Sequence, residues 1–277
     1  MDTIVQALIM GVVQGLTEFL PISSSGHLIL VPYLLGWTDP FITSLAFSVM
    51  LHMGTLVALL VYFRQDWRVL VPAGLAAIRD RSLRGDRSRI LAWLIVVATI
   101  PAVIVAPFLN DVLETAIRSA GVVAVTLTIG AAIMWLADRQ GPKDRLIDGL
   151  TFPRAFIIGC AQALALIPGI SRSGISISTG LFVGLTRESA ARFSFLMATP
   201  VTAAAGLYEA FKLVKGETGA PAEIAPLVVG MVAALVSGLA AIHFLLRYLR
   251  TNTLAIFVAY RLVLAAIVVV SVLSVRH

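Results

Sequence analysis

The residues able to do chemistry are concentrated in one run, Gln14-Gly15-Leu16-Thr17-Glu18-Phe19-Leu20-Pro21-Ile22-Ser23-Ser24-Ser25-Gly26-His27. It sets a carboxylate, three successive serine hydroxyls and an imidazole within an otherwise apolar sequence. Ionisable groups are costly in hydrocarbon and are kept there where they work. Ser23, Ser24 and Ser25 follow Pro21 and precede an apolar arm. One serine satisfies a helix N-cap, where its oxygen accepts a free backbone N–H. Three of them followed by Gly26 and His27 exceed what capping needs. A helix N-terminus also presents free N–H groups to an anion such as phosphate. With the arm helical from about Ser23, Ser24 and His27 stand at i and i+3, so a hydroxyl and an imidazole can converge on one substrate atom. Glu18 lies four residues after Gln14, on the same face. It is either a hydrogen-bonded carboxylate in a packed bundle, a proton donor, or a ligand for a divalent ion.

A second run, Gln162 to Gly174, repeats the pattern 148 residues later. Gln14 matches Gln162, Ser23 matches Ser171, Ser25 matches Ser173 and Gly26 matches Gly174. Further on, Ala46-Phe47-Ser48 is echoed by Arg192-Phe193-Ser194. The second turn carries Arg172, whose fork of donors matches phosphate oxygens. The alternative is an ion pair with Glu18, and the two are compatible if Arg172 changes partners when substrate arrives. His52 lies mid-span with Ser48 one turn earlier on the same face; it is either a satisfied structural group or part of the site. Arg261 follows Tyr260 inside the last apolar stretch and is expected to point inward toward an anion. Glu209 and Lys212 read as an i, i+3 pair at the outer boundary.

These groups need elements to hold them, and composition says which kind. The chain has 277 residues, 59% hydrophobic and only 13% charged, with a mean hydropathy of +0.96. A soluble domain carries roughly a quarter charged residues. The sequence therefore reads as an integral membrane protein. Its net charge of +6 sits in links between apolar stretches, which marks orientation and not nucleic-acid binding. The start Met1-Asp2-Thr3 lacks a basic region, so no cleaved signal peptide is expected. Cys160 stands alone and is expected in packing.

A span needs about 20 apolar residues. Six stretches qualify: 42–63, 90–109, 117–136, 188–211, 225–246 and 253–275. The arms 3–20 and 24–36 are parted by Pro21 and the serines, and the arms 153–167 and 174–185 by Pro168, Gly169 and a second serine cluster. Short, broken pairs at matching positions indicate re-entrant helices that meet near the midplane. The links 64–89, 137–154 and 247–252 hold 13 of the 21 basic residues, which places them in the cytoplasm. The first re-entrant pair then lies on the outer side and the second enters from the inner side. The expected fold is an all-α integral membrane protein: one membrane domain over 1–277, an inverted-topology repeat of units at approximately 3–136 and 153–275, with six transmembrane helices and two re-entrant helix pairs.

At the two motifs the chain closely resembles the undecaprenyl pyrophosphate phosphatase family, also called bacitracin-resistance proteins. The resemblance rests on Gly15 to His27, on Pro168-Gly169-Ile170-Ser171-Arg172-Ser173-Gly174, on Phe193-Ser194-Phe195-Leu196 and on Tyr260-Arg261, and runs over essentially the whole chain. It implies an enzyme of the bacterial inner membrane that removes the terminal phosphate of a C55 isoprenyl diphosphate at the outer face. The product, undecaprenyl phosphate, carries cell-wall precursors; bacitracin competes for the substrate lipid, and a homodimer is an open alternative. The resemblance assigns catalysis to Glu18, Ser24, His27 and Arg172. Ser23, Ser25, Gly26, Ser171, Ser173, Gly174 and Arg261 are expected to bind phosphate, with Gln14, Ser48 and His52 as further candidates. A divalent cation, Mg²⁺ or Ca²⁺, is implied with Glu18 as ligand. Many members have Glu at Gln14 and some an acidic residue at Ser48, so two potential ligands are missing here. Ser24 is the expected nucleophile with His27 moving protons; the alternative is a phosphohistidine at His27. The rival class is a transporter or flippase for a polyprenyl phosphate lipid, because inverted repeats with broken helices are common in transporters.

Overall fold

The computed structural model describes residues 2–84, 86–115, 119–214 and 224–274. The side chains of Glu209 and Lys212 lie outside the described set. Among the described residues the only β structure is an isolated bridge between Arg145 and Leu185.

The apolar arms and spans all form helices. The first pair is α1 (Thr3–Phe19) and α2 (Ser24–Leu35). It is followed by α3 (Leu45–Tyr62), α4 (Arg64–Arg79), α5 (Arg87–Thr115) and α6 (Ala120–Gln140). The second pair is α7 (Phe152–Ala163) with a 3₁₀ turn over Leu164–Leu166, then α8 (Arg172–Phe182). Three long helices close the chain: α9 (Arg187–Val214), α10 (Ile224–Tyr248) and α11 (Ala255–Ser274). Helices α3, α5, α6, α10 and α11 are long and apolar enough to cross a membrane. Helix α9 has 28 residues and begins on Arg187, Glu188 and Arg192. The protein is thus an all-α, multi-pass membrane protein. Helix α4 was not expected, since its stretch had read as a basic link. It buries Leu70, Ala73 and Ala77 and packs on α5.

Both short pairs are hairpins whose ends meet. Thr3 Oγ1 at the start of α1 donates to Asp39 Oδ2, 3.0 Å away and just beyond α2. The link before α7 meets the end of α8 through Arg145 N–H to the Gly184 carbonyl (2.9 Å) and Thr186 N–H to the Arg145 carbonyl (2.8 Å). Each hairpin lies along a long helix of the other half: α1 on α10, α7 on α5. A Cβ on Gly11 would run into the Gly230 carbonyl, and one on Gly159 into the Ala98 carbonyl. Small residues let helix backbones approach this closely in a membrane, where packing drives association. Helices α3 and α9 cross between the halves, as do α6 and α11.

The basic links gather at one end of the bundle. Arg187 Nε donates to Asp138 Oδ1 (2.5 Å) and Leu254 N–H to Asp138 Oδ2 (2.9 Å). Arg250 Nε meets Glu188 Oε1 at 2.9 Å, and Arg192 pairs with Asp66. Asp80 accepts from Arg79 Nε (2.9 Å) and Arg89 Nη2 (2.8 Å), and these bonds hold its carboxyl below the usual carboxylate range. Cys160, expected in packing, is exposed on the bundle surface.

Candidate active site

The two helix breaks are built alike. Ser23 and Ser171 cap α2 and α8 with φ of 76° and 75°, a left-handed conformation that is uncommon outside glycine. Each is held by its cap: Ser23 Oγ accepts from Gly26 N–H at 3.3 Å, and Ser171 Oγ from Gly174 N–H at 3.1 Å. The next serine oxygens lie alongside, Ser25 at 3.4 Å from Ser23 and Ser173 at 3.2 Å from Ser171. Such strain costs on the order of 1–3 kcal/mol per residue and clusters at functional sites. Ser173 Oγ also donates to the Leu20 carbonyl (3.1 Å), joining one break to the other. The two helix N-termini, with free amides in their first turns, therefore sit side by side.

Glu18, on the last turn of α1, is the centre of the polar cluster. Its Oε2 accepts from Ser24 Oγ at 2.5 Å and from Gln14 Nε2 at 3.0 Å, and faces His52 Nε2 at 3.3 Å. Its Oε1 pairs with Arg172 Nη2. Arg172 Nη1 reaches Thr202 Oγ1 at 2.6 Å and the Ala198 carbonyl at 3.4 Å. His52 Nδ1 lies 2.7 Å from the Ser48 carbonyl, so Nδ1 carries a proton. Nε2 and Glu18 Oε2 then face each other across one shared proton. Glu18 is buried, its side chain 4% exposed, whereas Arg172 and His52 keep 18% and 26% of theirs open. An anion can reach the arginine and the serine while the carboxylate stays behind them.

The remaining expected residues fall into two groups. Gln14 and His52 join the cluster directly, and Ser48 joins it through the carbonyl that orients His52; its own hydroxyl donates to the Ser44 carbonyl at 3.0 Å. His27 stands apart from Ser24. Its Nδ1 meets the Ser23 carbonyl and its Nε2 the Tyr260 hydroxyl, both at 2.7 Å, and its ring stacks on Tyr260. Arg261 was expected to reach an anion, but its hydrogen bonds all go to backbone carbonyls: Gly169 (2.7 Å), Ile170 (3.1 Å), Leu127 (3.2 Å), Pro21 and Thr126 (both 3.4 Å). Sequence reasoning missed Thr202. The only hint was that Ser194, Ala198 and Thr202 recur every four residues, giving α9 a small, polar-tolerant stripe.

The cation implied by the resemblance meets an unsuitable donor set. Among the described residues Glu18 is the one carboxylate of the cluster, and both of its oxygens are engaged, one by the Arg172 guanidinium. Among the described residues no three His, Cys, Asp or Glu side chains converge. A divalent ion at Glu18 would have to displace an arginine.

Fold and site together define a multi-pass helical membrane protein with a serine, a buried carboxylate and an arginine assembled across two helix breaks. The chain belongs to the bacitracin resistance protein BacA family, which matches residues 7–267. It is 43% identical over 272 residues to the undecaprenyl-diphosphatase of Gemmatimonas aurantiaca, covering 98% of this chain and 99% of that protein. It is 44% identical over 279 residues to the undecaprenyl-diphosphatase of Thermomicrobium roseum (96% and 97% covered). With that of Moorella thermoacetica the identity is 43% over 267 residues (96% and 97% covered).

Proposed function

We propose that the protein is an undecaprenyl-diphosphatase that hydrolyses the C55 diphosphate to undecaprenyl phosphate and inorganic phosphate, returning the lipid carrier to cell-wall synthesis. The observation that carries this reading is the 2.5 Å bond from Ser24 Oγ to Glu18 Oε2 beside the Arg172 guanidinium. A hydroxyl bonded to a carboxylate is a nucleophile with its base in place. A lipid transporter would need the arginine but not that pair.

In the proposed reaction the diphosphate lies at the two helix N-termini. Arg172 turns from Glu18 toward the phosphate oxygens while Thr202 keeps hold of Nη1. Ser24 Oγ attacks the terminal phosphorus and its proton passes to Glu18 Oε2. The bond from that phosphorus to the bridging oxygen breaks, and undecaprenyl phosphate leaves. Water then attacks the phosphoserine, releasing inorganic phosphate and returning the proton to Ser24. Positioning and charge neutralisation by the arginine and the backbone amides supply most of the acceleration in this chemistry.

Several finer readings belong to the proposal. The protein resides in the bacterial inner membrane, with its basic end in the cytoplasm and the α1–α2 hairpin on the outer side. The two halves are inverted copies, supported by the matching caps at Ser23 and Ser171 and by the reciprocal packing of α1 on α10 and α7 on α5. Bacitracin competes for the same lipid. The test is release of inorganic phosphate from C55 diphosphate by detergent-purified protein. Lipid binding without phosphate release would leave the transporter reading in its place.

A further inference from the structure

Among the described residues the largest fully buried side chain is an arginine, Arg261, with no exposed surface. Among the described residues no carboxylate pairs with it. Its charge is balanced by carbonyl oxygens alone, and those oxygens come from three separate places. Pro21 belongs to the first helix break, Gly169 and Ile170 to the second, and Thr126 and Leu127 to α6. Carbonyls at helix breaks lack intrahelical partners, and leaving them bare at membrane depth is costly. One guanidinium, with five N–H donors in a rigid plane, satisfies acceptors on both breaks at once.

The surroundings are shaped for it. A Cβ on Gly130 of α6 would overlap Arg261 Nη2, so the helix is bare where the guanidinium passes. Thr126, one turn earlier on α6, donates from Oγ1 to the Pro168 carbonyl at 2.6 Å. Tyr260, the preceding residue on α11, holds His27 on α2 at 2.7 Å. Helices α6 and α11 thus form a frame on which the two breaks are fastened.

We propose that Arg261 is a positioning residue for the phosphatase reaction: it fixes the two helix breaks relative to one another, so that Ser24 of the first and Arg172 of the second face the same phosphate, and it does not bind the phosphate itself. This rests on the phosphatase reading above. Ser24 and Arg172 sit on different hairpins, and this frame acts together with the Ser173–Leu20 bond and the Glu18–Arg172 pair in holding them to one another. A small shift between reacting groups is enough to cost on the order of 10²-fold in rate.

The test compares wild type with Arg261→Lys and Thr126→Val in purified protein. Lysine keeps the charge but cannot span three sets of carbonyls. Thr126→Val removes one hydroxyl with little change in shape, and serves if Arg261→Lys cannot be purified. In each variant kcat for phosphate release should fall, by about tenfold or more in Arg261→Lys and by less in Thr126→Val, with KM for C55 diphosphate within about twofold of wild type. Amide hydrogen exchange should speed up in segments 20–27 and 167–174 of the same variants, since the tie that closes them is loosened. A raised KM with unchanged kcat and unchanged exchange would make Arg261 a phosphate ligand and overturn the proposal. So would wild-type turnover in both variants. A wild type that releases no phosphate would defeat the phosphatase reading alone; the exchange comparison would still decide whether Arg261 ties the breaks.

Discussion

At the scale of single residues, Glu18 accounts for most of the site: serine, arginine, histidine and glutamine all touch one carboxylate. Replacing Ser24 by Ala should lower phosphate release by about 10³-fold or more, the scale of losing a positioned nucleophile, while lipid binding persists through Arg172. The resemblance gives His27 a catalytic part as well, and on that assignment His27→Ala costs orders of magnitude. In the structure, though, His27 must leave Tyr260 before it can move a proton for Ser24. Normal hydrolysis by Ser24→Ala would transfer the nucleophile to His27, and an acid-labile phosphoenzyme lost in His27→Ala would then support that route. Arg172→Lys should lose about 10²-fold in turnover, as when one donor to a developing oxyanion is removed. The guanidinium spans Glu18 and Thr202 together, and an ammonium cannot. Near-normal turnover in Arg172→Lys would make the residue a structural partner of Glu18. The metal is a third test at this scale. Gln14 and Ser48 offer no carboxylate, and Arg172 already occupies Glu18. Stimulation by Mg²⁺ should therefore be weaker here than in relatives with two glutamates in the first motif. Gln14→Glu should strengthen metal binding, because a second carboxylate would give the ion an oxygen ligand that Arg172 does not hold. A wild type wholly silenced by chelator would contradict this.

At the scale of elements, the breaks depend on close helix contacts as much as on their own sequence. Gly11 lets α1 lie against the Gly230 backbone, and α1 carries both Gln14 and Glu18 to the cluster. Gly11→Leu should destabilise the fold by about 1–3 kcal/mol, the cost of overpacking, and lower Tm in detergent together with activity. An unchanged Tm would mean that α1 and α10 are not tightly packed. The elements were largely legible beforehand, because a lipid environment demands long apolar runs and Pro21 and Pro168 interrupt two of them. Helix α4 was not legible: the arginines gathered over 64–89, among them Arg64, Arg68 and Arg79 of the helix itself, read as a basic link. The cluster was half legible. Residue type and spacing pointed to Glu18, Ser24 and Arg172, but the i, i+3 argument joined His27 to Ser24. In the fold His27 turns to Tyr260, from a helix 233 residues away in sequence, and His52 from α3 fills the place beside the carboxylate. The partners of Arg261 had no sequence signal at all, since they are main-chain carbonyls.

At the scale of the whole molecule, the remaining question is which end faces which compartment, and charge supplies the argument. The links at 64–89, 137–154 and 247–252 meet at one end, stitched by Arg187 to Asp138, Arg250 to Glu188 and Arg192 to Asp66. Excess arginine in short links stays in the cytoplasm. The α7–α8 hairpin has both ends at this basic side, through Arg145 and Gly184. The α1–α2 hairpin closes through Thr3 and Asp39. Asp39 precedes α3, and α3 runs toward Arg64 at the basic end, so this hairpin closes at the opposite face. On the proposed orientation a lipid headgroup reaches the site from the outer leaflet, alongside Ser24 and Arg172. The check is cysteine labelling in a Cys160→Ser background. A cysteine at Ser82, in the exposed turn after α4, should resist a membrane-impermeant thiol reagent in intact cells and react after permeabilisation. A cysteine at Thr38, between α2 and α3, should react in both. Labelling of position 82 in intact cells, with protection of position 38, would invert the assignment and place lipid hydrolysis on the cytoplasmic face.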